Sequence, residues 1–106
     1  MTTAHGRLLD VTDAPASGER FVTVAAMGST TIEQILSSDT PDPRVYEQDH
    51  DEWVVVLSGS AVLDVDGRHH TVEAGDWVLL PAGVPHRVMR TTAGTNWLAV
   101  HAADNS

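Results

Sequence analysis

Glycine and proline punctuation constrains this chain more than any other feature. From Glu52 onward every apolar run is short, because Ser58-Gly59, Asp66-Gly67, Ala74-Gly75 and Pro81-Ala82-Gly83 interrupt it. That spacing leaves no room for an ordinary helix and fits short strands joined by tight turns. Asp66-Gly67 is a two-residue hairpin signal, since both central positions of such a turn take positive φ. Strands are expected over 7–11, 21–27, 30–37, 52–57, 61–65, 68–72, 76–80, 86–90 and 96–102. The 30–37 stretch fits a short helix or a strand, and its β-branched start without caps favours the strand. Residues 13–19 and 39–44 read as loops from their Pro and Gly content. Residues 1–6 and 103–106 are expected to be flexible. The pattern predicts an all-β fold, an antiparallel barrel or sandwich, with residues 1–106 forming one domain.

Charge and composition narrow the partners. The net charge is -9, from 6 Lys and Arg against 15 Asp and Glu. Nucleic acid and anionic membranes both need clustered basic side chains, so neither is an expected partner. The chain has no Cys, which excludes disulfides and thiolate metal sites. The first ten residues lack the apolar core of a signal peptide, and no apolar run approaches the ~20 residues that span a bilayer. A cytoplasmic location is the expectation.

The chemistry-bearing side chains gather in 46–59, YEQDHDEWVVVLSG. Tyr46, Glu47, Gln48, His50 and Glu52 stand directly ahead of a Val-rich strand. On that strand Val54 and Val56 share a face with Glu52, while Trp53, Val55 and Leu57 take the other. Both faces are therefore apolar. Covering the second face requires the N-terminal strands or another subunit, so a homodimer is expected. A second stretch, 75–86, GDWVLLPAGVPH, answers the first.

Together these stretches resemble the two cupin motifs. The first motif places a Glu, six residues and a Gly, which Glu52 and Gly59 fit. The second runs Gly, five residues, Pro, one residue, Gly, two residues and His, which Gly75, Pro81, Gly83 and His86 fit. The resemblance covers about 46–90 and a final strand, and the His-poor first motif is similar to that of small bacterial cupins with weakly defined functions. It implies a double-stranded β-helix, or jelly-roll barrel, whose open mouth holds one divalent transition metal (Fe, Mn, Ni, Co or Zn). Two departures stand out. Tyr46 and Gln48 occupy the positions of the two His that precede the family's Glu, and Arg90 stands where the family has Asn. Only Glu52 and His86 carry over as metal ligands.

If the chain is extended before Glu52, then Gln48, His50 and Glu52 share a face. His50, Glu52 and His86 would then form a two-His, one-carboxylate set with open positions, and Gln48 a weak fourth ligand. The alternatives are a solvent-exposed His50 and a Glu52 paired with Arg87 or Arg90. Tyr46 fits a pocket wall or an acid/base, and a phenol needs a nearby cation to act as a base near neutrality. Arg90 shares parity with His86 and is expected to point inward, paired with a carboxylate of the protein or of a substrate. His101 shares parity with Trp97 and Ala99 but lies near the chain end, which favours a surface position, with a pocket role as the alternative. The functional expectation is a metal-dependent enzyme acting on a small carboxylated or oxygen-rich molecule by non-redox isomerase, lyase or cyclase chemistry. A metal-dependent dioxygenase and a metal-free ligand-binding or sensing module are the alternatives.

Overall fold

The computed structural model describes residues 3–102. It contains eight strands and one 3-10 turn: β1 (Glu19–Met27), β2 (Thr30–Ser37), β3 (Asp51–Ser58), β4 (Ser60–Val65), β5 (Arg68–Glu73), β6 (Trp77–Leu80), β7 (His86–Thr91), β8 (Thr95–Ala102) and the turn Val11–Asp13. All pairings are antiparallel. Five strands form one sheet in the order β1-β2-β8-β3-β6, and three form a second in the order β5-β4-β7. Apolar residues from both sheets, Val54, Val56 and Trp97 against Ala61, Leu63 and Val72, make one shared core. This is the antiparallel jelly roll. The expected flexible ends at 1–2 and 103–106 lie outside the described residues, and 3–6 are exposed without regular structure.

Two turns show why the punctuation stands where it does. Asp66 (φ 51°) and Gly67 (φ 83°) both take positive φ between β4 and β5. The hairpin is fastened by Gly67 N–H donating to Asp64 Oδ1 at 2.9 Å. Gly59 carries the chain from one sheet to the other at φ +88°. A Cβ there would lie 2.8 Å from Thr95 Cα. Glycine is required by conformation and by close approach together.

Residues 7–11 are not a strand. Both backbone polar groups of Leu9 are bonded to one side chain: its N–H donates to Gln34 Oε1 at 2.8 Å and its carbonyl accepts from Gln34 Nε2 at 3.0 Å. A backbone satisfied by an amide side chain has no need of a ladder. Gln34 Nε2 also donates to Asn96 Oδ1, so this N-terminal segment lies across β2 and β8.

It leaves the outer face of β3 and β6 uncovered. Trp53 sits opposite Leu79 and Val100, and Val55 opposite Trp77 and Leu98. These six apolar side chains run across three adjacent strands. Trp77 is 60% exposed and Leu79 52% exposed, and the Trp53 and Trp77 rings lie 6.2 Å apart. Among the described residues, no helix is long and apolar enough to cross a membrane.

Candidate functional site

The inner face of β3 carries Glu52, Val54 and Val56, all buried. Glu52 therefore opens into the space between the sheets. A cavity of about 340 Å³ lies there, within the range of small-molecule sites. Its floor is apolar, built from residues such as Val54, Leu63, Leu80 and Trp97. Its mouth is polar, with Glu33, Gln48, Glu52, His86 and His101.

The second stretch delivers the first. Tyr46 and His86 form a two-bond bridge, Tyr46 N–H to His86 O at 2.7 Å and His86 N–H to Tyr46 O at 2.8 Å. Gly83 N–H donates to Gln48 O at 2.7 Å, and Ala82 N–H donates to Asp51 Oδ1 at 2.9 Å. The Pro81-Ala82-Gly83 turn thus clamps the segment ahead of β3 and turns Tyr46 and Gln48 into the cavity.

Glu52 is the centre of the mouth. It is 6% exposed. Gln48 Nε2 donates to its Oε1 at 2.7 Å. His86 Nε2 lies 4.0 Å from Oε1, and His101 Nε2 lies 4.0 Å from Oε2. The carboxylate is bracketed by two imidazoles, one per oxygen. The Tyr46 ring stacks on His86, with centroids 5.9 Å apart and planes at 20°. Burial pushes the Tyr46 phenol up, opposed by the Arg44 guanidinium. Tyr46 is thus held neutral, which suits a wall and hydrogen-bonding group better than a base.

Glu33 is the residue that sequence reasoning missed, and His101, expected at the surface with a pocket role as the alternative, takes the alternative place. His101 faces the cavity. Its Nε2 is 3.2 Å from Glu33 Oε1, and that bond raises its pKa, against the opposing pull of burial. The parity shared with Trp97 and Ala99 carried the signal for His101. Nothing in the sequence fixes the β2 register that brings Glu33 to it.

His50 and Arg90 fall elsewhere. The chain bends at 49–50, before β3 begins, so His50 leaves the face of Glu52. It stands behind His101, with Nε2 2.9 Å from His101 Nδ1 and Nδ1 3.2 Å from Asp49 Oδ1. Arg90 does not point inward. Leu63 pairs with Val88 and Val62 with Arg90, so Met89 is an extra residue in β7. This bulge turns Arg90 out into solvent and puts Thr91 on the buried face. No Arg or Lys among the described residues lines the cavity. A substrate carboxylate has lost its expected cationic partner.

The cupin domain family model matches residues 34–101. The chain is a cupin. A crystal structure from Ralstonia eutropha JMP134, provisionally named a mannose-6-phosphate isomerase, is 35% identical to this cupin, with 96% of this chain and 100% of that one covered at a TM-score of 0.78. Protein SchB of Streptomyces halstedii is 27% identical over 100 residues, covering 86% of this chain and 72% of that protein. Quercetin 2,3-dioxygenase of Bacillus subtilis strain 168 is 33% identical over 75 residues, 65% of this chain. This cupin spans only 22% of that enzyme's length.

The metal implied by the cupin motifs can be tested on the donors. Among the described residues no preset metal-holding group of three His, Asp or Glu is found, and the set that comes nearest is Glu52 with His86 and His101, each imidazole 4.0 Å from one carboxylate oxygen. Gln48 turns its amide nitrogen, not its oxygen, to Glu52. His101 Nε2 faces Glu33, and His50 backs His101. Arranged this way, the side chains satisfy one another and do not fit a three-ligand metal centre.

Proposed function

We propose that this cupin is an enzyme that moves protons on a small molecule held in the barrel mouth, by non-redox isomerase, lyase or cyclase chemistry. One observation carries the proposal: a buried carboxylate, Glu52, with an imidazole 4.0 Å from each oxygen, at the mouth of an apolar cavity. Glu52 takes a proton from one atom of the substrate, His86 delivers one to another, and proton exchange with solvent at the mouth resets both groups. Gln48 holds the carboxylate in place from behind. The apolar floor excludes water and grips the substrate body, which strengthens each charge at the mouth. A Glu52→Gln variant keeps the shape and loses the base. Incubated with a metabolite extract and followed by mass spectrometry, wild-type protein is expected to convert a metabolite that the variant leaves intact. Equal conversion by both would contradict the proposal.

A metal-dependent form of the same enzyme, including a dioxygenase, is favoured by the donor types at the mouth: two imidazoles and one carboxylate, the composition suited to Fe, Mn, Ni, Co or Zn. It requires His101 to leave Glu33. Metal analysis of untagged protein decides it. Near-stoichiometric metal that is lost in His86→Ala supports the metal-dependent form, and less than about a tenth of an equivalent after reconstitution rejects it. The proposal also holds the protein to be a cytoplasmic homodimer. The uncovered Trp53, Trp77 and Leu79 face supports the dimer.

A further inference from the structure

The cavity has a hydrogen-bonding bias that its shape alone does not require. Three carboxyl side chains line it, Glu19, Glu33 and Glu52. An ionised carboxylate only accepts hydrogen bonds. Two of the polar groups at the mouth are engaged, Gln48 Nε2 donating to Glu52 and His101 facing Glu33 through Nε2 and His50 through Nδ1, while His86 Nε2 stands 4.0 Å from Glu52 Oε1. No guanidinium or ammonium among the described residues reaches in, because the β7 bulge sends Arg90 outward and Arg87 is held by Asp64 at 3.7 Å. The sequence has no Lys at all. Among the described residues, the cavity holds three carboxyl groups and no guanidinium or ammonium to balance them.

Its aromatic walls have the same preference. Phe21, Tyr46 and Trp97 line the cavity together with the carboxylates; the Tyr46 ring is already stacked on His86 and has the Arg44 guanidinium 5.9 Å from its centroid, which leaves Phe21 and Trp97 as the aromatic faces offered to a ligand. Aromatic faces carry negative quadrupole density and attract cations. Trp97 is fixed there by Nε1 donating to Ser37 Oγ at 3.0 Å, so its indole N–H is not available to a ligand. A ligand that fits has an apolar body and brings its own donors and positive charge. A protonated amine has up to three N–H donors and no acceptor. A carboxylate or phosphate meets like charge on Glu19, Glu33 and Glu52.

Resting on the mouth being a small-molecule site, we propose that its ligand is a small organic amine, bound as the ammonium ion. The charged group sits among Glu33, Glu52 and the aromatic faces, and the apolar body lies on Val54, Leu63 and Leu80. The balance of charge differs from that of a sugar-phosphate or organic-acid site, where a basic side chain must meet the anion.

Three probes of one shape test this: benzylamine, benzyl alcohol and benzoate, each titrated into the full chain at neutral pH by protein-observed NMR. Benzylamine is expected to bind about tenfold more tightly than benzyl alcohol, and benzoate more weakly than either. Glu33→Gln is expected to weaken benzylamine about fivefold and leave benzyl alcohol nearly unchanged. Val54→Trp, which fills the cavity, is expected to abolish both. If benzyl alcohol or benzoate equals benzylamine in wild-type protein and Val54→Trp still removes binding, the amine proposal falls and the pocket stands. If no probe binds, or binding survives Val54→Trp, the pocket itself is rejected, and the amine proposal with it.

Discussion

Glu52 is buried, and a buried carboxylate is costly unless it is paired. Here Gln48 supplies the hydrogen bond and two imidazoles supply potential positive charge. His101 is the better defined of the two, since Glu33 raises its pKa above the ordinary 6.5 and Glu52 adds to the effect. The groups facing it are Glu33, Glu52 and His50. A raised folded-state pKa means that the native state holds the proton more tightly than the unfolded chain. The stabilisation is fully present below the unfolded value and is lost as pH rises through the folded value. Glu33→Gln is therefore expected to lower the His101 pKa, read from its ring resonances. The variant's loss in urea midpoint should be larger below pH 6.5 than in alkaline buffer. An unchanged His101 titration would reject the pairing. Glu52→Gln should move the same titration less, because its nearer oxygen is 4.0 Å away against 3.2 Å for Glu33.

At the level of single elements, strand periodicity told the inside from the outside wherever a strand was regular. On β3 the alternation of Glu52, Val54 and Val56 with Trp53, Val55 and Leu57 matches the buried and outer faces. On β7 the same two-residue count fails at Met89. A bulge inserts one residue without a distinctive sequence, so everything beyond it changes face. That is why Arg90 could not be placed from sequence. His50 was misplaced for a related reason, since the bend at 49–50 breaks the period ahead of the strand. The turns were legible because their chemistry is local, and the pairing of β2 with β8 that joins Glu33 to His101 was not, because register is a long-range property. Two variants probe these elements. Arg90→Ala removes an exposed side chain and should change stability by less than about 0.5 kcal/mol in urea unfolding. Gly59→Ala combines positive φ with a collision against the Thr95 backbone. It should cost more than about 1 kcal/mol, the left-handed conformation of a residue with a Cβ and the collision adding together. A near-neutral Gly59→Ala would show that the β3–β4 crossing can relax.

Across the whole molecule, one sheet face is unlike the rest of an acidic surface. The outer side of β3, β6 and β8 presents Trp53, Val55, Trp77, Leu79, Leu98 and Val100, with Asp51 at the start of β3 the charged residue among the paired positions on that face. The N-terminal segment covers β2 and β8 and stops short of Trp77. Two copies meeting on this face would hide it, and light scattering is expected to give twice the chain mass of 11.4 kDa. Trp77→Glu should shift the mass to that of a single chain. A wild-type mass of one chain at every concentration would remove the dimer. In the barrel mouth, the proposed chemistry has Glu52 transfer a proton without consuming dioxygen. The direct test is to react wild-type protein with its convertible metabolite in D₂O under ¹⁸O₂ and weigh the product. Solvent deuterium on carbon, no ¹⁸O, and loss of both turnover and label in Glu52→Gln are expected. A product carrying ¹⁸O, or deuterium uptake that survives Glu52→Gln, would contradict it.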